Sequence, residues 1–139
     1  MRRSGTVAIG VLVWLGACGD TTPGPATGAE PVPRPSTSAT LGIASPETGS
    51  VVRTDQVTLV VELEGATLTD ITSTDLRPDE GHLHVTLDDQ LISMTSGLEQ
   101  VLPDLAPGEH LLKVELVAND HAPFDPRVVA AVSFRVKHS

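Results

Sequence analysis

From Gly81 to Met94 the chain alternates in steps of two. Leu83, Val85 and Leu87 fall on one side, and His82, His84 and Thr86 on the other. Side chains of an extended strand point to opposite faces in turn, so this period marks a half-buried strand. Asp88-Asp89 then reverses the chain, and Leu91-Ile92-Ser93-Met94 returns as a second strand. A two-residue turn would set Leu87 opposite Gln90, Val85 opposite Ile92 and Leu83 opposite Met94. That register predicts Ile92 and Met94 on the core face with the leucines. It leaves His82 and His84 side by side on the other face.

The same pattern recurs from Leu41 onward. Leu41–Pro46 reads as a first edge strand and Glu47–Ser50 as its turn. In 57–63, Val57, Leu59, Val61 and Leu63 share one face. Residues 65–80 form a longer connection in which Leu68, Ile71 and Leu76 are expected to dip inward. Leu98–Leu102 is a short strand and 103–108 a corner rich in proline and glycine. In 110–118, Leu112, Val114, Leu116 and Ala118 face one way, and Leu111, Lys113, Glu115 and Val117 the other. Asn119–Pro126 reads as a loop and Arg127–Lys137 as the last strand. About seven strands at spacings of roughly ten residues, without a helical period, predict an all-β, two-layer sandwich. The stretches Ile43-Ala44-Ser45-Pro46-Glu47-Thr48-Gly49-Ser50 and 102–117 resemble the opening, and the corner with its following strand, of bacterial immunoglobulin-like domains. His110 stands where those domains carry an aromatic residue. The resemblance covers 41–136 and implies an immunoglobulin-like fold without naming an activity.

The domain is preceded by an address and a spacer. Arg2-Arg3 and an apolar run from Thr6 to Leu15 are too short for a permanent membrane span. Leu15-Gly16-Ala17-Cys18 resembles the bacterial lipoprotein signal, which implies cleavage after residue 17 and lipid on Cys18. The residues after the arginine pair lack an apolar continuation, which favours the general secretory route. Cleavage removes two arginines and no acid, taking the net charge from −9 to −11. Cys18 is the only cysteine, so packing alone must hold the fold. Residues 18–40 read as linker, broken by Pro23, Pro25, Pro31, Pro33 and Pro35. Extended at about 3 Å per residue, it would reach roughly 60 Å from the membrane. The predicted organisation is 1–17 signal, 18–40 lipidated linker and 41–139 domain.

This acidic balance argues against nucleic-acid partners, which demand a basic footprint. It fits a solvated surface or one that attracts cations; the partners expected are a membrane, through the lipid on Cys18, and an envelope protein or glycan. No serine lies in a Gly-x-Ser-x-Gly turn, the one thiol is given to the lipid, and no aspartate pair flanks a cleft, so no enzymatic activity is expected.

Sandwich geometry would place the strands of 82–87 and 110–118 side by side, with His121 in the loop beyond the second. His82, His84 and His121 then form a candidate three-nitrogen site for copper or zinc. The alternative is three structural histidines, two exposed on a strand and one capping a loop. Both readings stand at this point. Gly-His-Leu-His, Pro-Gly-Glu-His and Asn-Asp-His-Ala-Pro also resemble small exported bacterial domains of unknown function. Asp79, Glu80, Asp120 and Asp125 would surround the same end and suit calcium, although no Asp-x-Asp-x-Asp-Gly run is present. His110 is assigned to the corner backbone. Neutral imidazoles must do the binding, so affinity is expected to fall as pH drops through about 6.5.

Overall fold

Alternation becomes burial at the centre of the structure. The computed structural model describes residues 33–138. The signal segment, Cys18 and the linker up to residue 32 lie outside them. Strand β8, Gly108–Val117, supplies Leu112, Val114 and Leu116 to the core, all fully buried, while Leu111 on its other face is 45% exposed. The period of two thus sorts the side chains of this strand. Its neighbours are β5, Glu80–Leu87, and β9, Pro123–Val136, both antiparallel to it.

The described residues hold nine strands and no helix. β1 (Thr40–Ser45), β3 (Val57–Glu64) and β7 (Glu99–Leu102) make one sheet, in the order β1-β3-β7. β2 (Val51–Val52), β9, β8, β5 and β4 (Thr67–Leu68) make the other, with β6 (Gln90–Thr95) also paired to β5. Leu59 and Val61 of the first sheet share a core with Leu83, Val85, Val114 and Phe134 of the second. Each buried aliphatic side chain of this kind contributes about 1.5–3 kcal/mol. This is an all-β, immunoglobulin-like two-sheet sandwich, as expected; the two extra strands, β2 and β4, are only two residues long each.

Four local expectations are corrected. The Asp88-Asp89 turn does have two central residues, both left-handed (φ 49° and 65°), as a twisted hairpin demands. Leu87 does pair with Gln90. The register then slips: Thr86 faces Leu91 but Val85 faces Ser93, so Ile92 is the extra residue of a bulge. Ile92 and Met94 are therefore 43% and 57% exposed and off the core face, and Met94 faces His84 instead of Leu83. Ile71 does not dip inward; it is 63% exposed, whereas Leu68 and Leu76 do pack on the core. The loop expected over 119–126 is shorter, because β9 starts at Pro123 and pairs it with Val117.

The fourth correction concerns the linker. Residues 34–39 belong to the folded body: Ala39 is buried, and the Pro35 carbonyl accepts the Asp125 N–H at 3.0 Å. Arg34 reaches the turn after β8, where the Asp120 carboxylate accepts from its guanidinium and the Ala122 and Pro123 carbonyls do so as well. The domain begins before residue 41. A proline-rich segment can still order when its end finds buried and charged partners.

Candidate metal centre

Two strand residues and one turn residue make the site. His82 and His84 stand on the outer face of β5, because Leu83 and Val85 take the inner one. His82 is nonetheless buried, at 5% exposure. β4 pairs along the start of β5, with the Thr69 N–H donating to the Gly81 carbonyl at 2.8 Å. The chain then crosses to the far loop, where the Ser73 N–H donates to Asn119 O at 3.0 Å. The 65–80 connection so encloses this end of the sheet. Gly81 allows the close approach of β5 to β8: a Cβ there would lie 2.1 Å from the Val117 carbonyl oxygen.

The turn after β8 aims His121 back at β5. The His121 N–H donates to Ala118 O at 2.9 Å, and the Ala118 N–H to Ala122 O at 3.0 Å. His121 itself sits in the left-handed region (φ 64°), an uncommon conformation that histidine enters more readily than most residues. Such a backbone, held by its surroundings, is a reason to look for function there. Asp120 accepts the Ala122 N–H at 3.1 Å and is itself gripped by Arg34, which fixes the turn from outside.

The three rings converge. His82 Nε2 lies 2.8 Å from His121 Nδ1, and His84 Nε2 lies 3.4 Å from the same atom. One nitrogen from each ring falls within 4.8 Å of the others. Two ligands held about 2.0–2.1 Å from a tetrahedral ion are roughly 3.3 Å apart. The rings therefore need only small outward shifts to admit one. The opposite nitrogen of His121, Nε2, is 3.1 Å from Thr72 Oγ1. An N–H donated there leaves Nδ1 with its lone pair facing the cluster, the usual way a ligating ring is oriented from behind.

The electrostatics favour the neutral form of the two strand rings. Burial lowers the His82 pKa to about 4, with help from His121 and His84 and against Asp120. Burial and His121 also lower that of His84, against the pull of Glu115. The neutral ring is the form that binds a metal.

The other named residues do not join this cluster. Asp120 is taken by Arg34, and Glu80 is 3.7 Å from Arg77. Among the described residues the three histidines are the only such group, and neither Asp79 nor Asp125 adds a carboxylate to it. A calcium shell of several oxygens does not assemble here. His110 is at the corner: Nε2 is 2.7 Å from the Ala106 carbonyl and Nδ1 is 2.7 Å from Asp88 Oδ2. Both partners accept, so both nitrogens donate and the ring is the cation.

Thr72 and Arg34 did not emerge from the sequence, and Met94, by type a soft donor suited to copper, is set aside there by its core-face parity. Thr72 lies in a connection without period, and Arg34 in a segment that reads as linker. Met94 was assigned to the core by a parity that the bulge reverses. It lines a cleft of about 300 Å³ together with Thr69, Thr72, His82 and His121.

No family model matches the chain, and no curated protein does. Among solved structures, it is similar to the fibronectin(III)-like modules of Clostridium thermocellum CbhA, with a TM-score of 0.50 and 13% identity over 71% of this chain and 98% of that one. It is also similar to the PKD domain of human KIAA0319, with a TM-score of 0.48 and 16% identity over 82% of this chain and 93% of that one. The first likeness supports the immunoglobulin-like sandwich. At such identity it carries the fold alone, since this fold hosts many functions.

Proposed function

We propose that the chain is an exported, lipid-anchored binding module whose immunoglobulin-like domain holds a copper or zinc ion between His82, His84 and His121. The observation that carries this reading is the convergence of three ring nitrogens, one from each histidine, within 4.8 Å. The left-handed turn at His121 and the Thr72 contact behind its ring add to it. The anchor rests on the sequence Leu15-Gly16-Ala17-Cys18. The role is non-enzymatic: the site holds an ion and offers no nucleophile of its own.

Titration calorimetry of the purified chain with copper(II) and zinc(II) tests the metal. One equivalent bound, with loss in His82→Ala and His84→Ala, supports it; no heat with either ion refutes it. Cell fractionation tests the anchor, since Cys18→Ala should leave the membrane. A Cys18→Ala chain that survives salt washing in the membrane fraction removes the lipoprotein reading.

A second reading is a docking surface for an envelope protein or glycan. It is favoured by Leu91 and Ile92 of β6, Leu98 just before β7 and Val101 of β7, which are all 43% exposed or more. That reading alone predicts no metal uptake.

A further inference from the structure

The three-histidine reading leaves the ion undecided between copper and zinc, and the β5–β6 hairpin bears on the choice. Met94 is the direct antiparallel partner of His84. Directly opposed residues share one face, with Cβ atoms about 4.5–5.5 Å apart. His84 lies on the outer face, so the thioether does too. The bulge at Ile92 is what turns it there: without the extra residue, Met94 would face Leu83 and enter the core. Bulges often re-aim a side chain beside a functional site. Met94 is 57% exposed, and it lines the same cleft as His82 and His121.

Resting on the metal reading above, we propose that Met94 is the fourth ligand of the centre and makes it selective for copper, above all copper(I), over zinc. A thioether is a soft, neutral, polarisable donor, and soft donors select copper(I). Zinc sites are built instead from imidazole, thiolate and carboxylate. Among the described residues, neither a thiolate nor a carboxylate shares the cluster. Glu115, the partner of His84 on the opposite strand, is occupied by Arg127 at 2.6 and 2.7 Å. Three neutral imidazoles and one thioether add no negative charge, which suits a monovalent ion better than a divalent one.

The test is a pair of affinities on the full chain. Copper(I) is measured under ascorbate by competition with a chromogenic copper(I) chelator, and zinc(II) with a zinc indicator. Each is compared between wild type and Met94→Leu. Leucine keeps the size and the apolar character at an exposed position, and circular dichroism and the unfolding midpoint report whether the fold is intact. Loss of an outer-shell partner weakens a metal by about 10–100-fold, so loss of a direct ligand should cost copper(I) at least about tenfold and leave zinc(II) within about twofold. X-ray absorption of the copper(I) form should show sulfur scattering that Met94→Leu abolishes. Copper(I) affinity equal in the two chains overturns the assignment while the three-histidine centre stands. Equal losses for both ions also overturn it, since Met94 would then act through the shape of the hairpin. If wild type binds neither ion, the centre itself is wrong, and the Met94 assignment falls with it.

Discussion

Arg34 and Asp120 meet across 86 residues of sequence, guanidinium to carboxylate, with Nη2 2.9 Å from Oδ1. The contact lowers the carboxyl pKa of Asp120, and burial only partly opposes it. It ties the last residues of the expected linker to the turn that presents His121. Both side chains are about one-quarter exposed, so solvent screens the pair. Arg34→Ala should cost about 1 kcal/mol in chemical denaturation. It should also raise hydrogen exchange at the amides of His121 and Ala122. Unchanged exchange there would mean that the turn holds itself.

The parity of β8 has its own test. Val114 is fully buried and Leu111 is 45% exposed. Val114→Ala should destabilise by about 1–3 kcal/mol through lost methyls and a cavity. Leu111→Ala should cost less than about 0.5 kcal/mol. Similar losses from both would contradict the two-faced strand.

Gly81 predicts a local failure. The Cβ of Gly81→Ala would lie 2.1 Å from the Val117 carbonyl oxygen, a backbone atom that cannot swing away. β5 must then part from β8 next to His82. The variant should lose metal affinity more than about tenfold and be destabilised by roughly 1–3 kcal/mol. Wild-type values for both would show that the two strands separate there without strain.

The corner pair sets a pH window. Burial opposes charge on His110, but the Ala106 carbonyl and the Asp88 carboxylate outweigh it, and its pKa is raised. Burial likewise opposes charge on Asp88, but the Leu111 N–H and His110 outweigh it, and its pKa is lowered. A raised base gives stability that is full below its unfolded value and is lost as pH rises through its folded one. A lowered acid gives stability that is full above its unfolded value and is lost as pH falls through its folded one. The stability difference between wild type and His110→Ala should therefore be greatest between about pH 4 and 6.5 and shrink on both sides. A difference that keeps growing as pH rises above about 6.5 would refute the ion pair.

Metal affinity should follow another profile. His110→Ala should spare binding, because its ring is committed to Asp88 and Ala106, whereas His82→Ala and His84→Ala should weaken it. Because the His82 pKa is near 4 and that of His84 is also lowered, protons compete at these two positions only below the usual 6.5. The expected fall through 6.5 thus moves to lower pH for these ligands. Ring-proton titration of His82 and His84 by NMR between pH 5.5 and 7 checks this, and protonation of either ring in that range would mean that the strand histidines titrate normally.

Much of the fold could be read from alternation, because burial enforces it: β3, β5 and β8 fall where their leucines and valines predicted. The pairing of 82–87 with 110–118, which brings the three histidines to one end, followed from the sandwich alone. Met94 could not be placed this way. A bulge adds one residue without leaving a glycine or proline to mark it, and one residue reverses every later side chain. Arg34 was hidden for the opposite reason. Its neighbours are prolines and threonines, and among the described residues its hydrogen-bond partners lie 86 to 89 residues away, from the turn after β8 to the start of β9.

The contacts of His121 with His82 and His84 span 39 and 37 residues, between a strand and a turn that no covalent bond joins. With a single cysteine, this chain has no disulfide with which to restrain its unfolded state. An ion shared by these rings would instead stabilise the folded form, reversibly, as a staple that is present only when the metal is. Its contribution to stability would grow with free-ion concentration, reaching about 2.7 kcal/mol at a hundredfold excess over Kd. The lifetime of the domain would then report the supply of that ion around it.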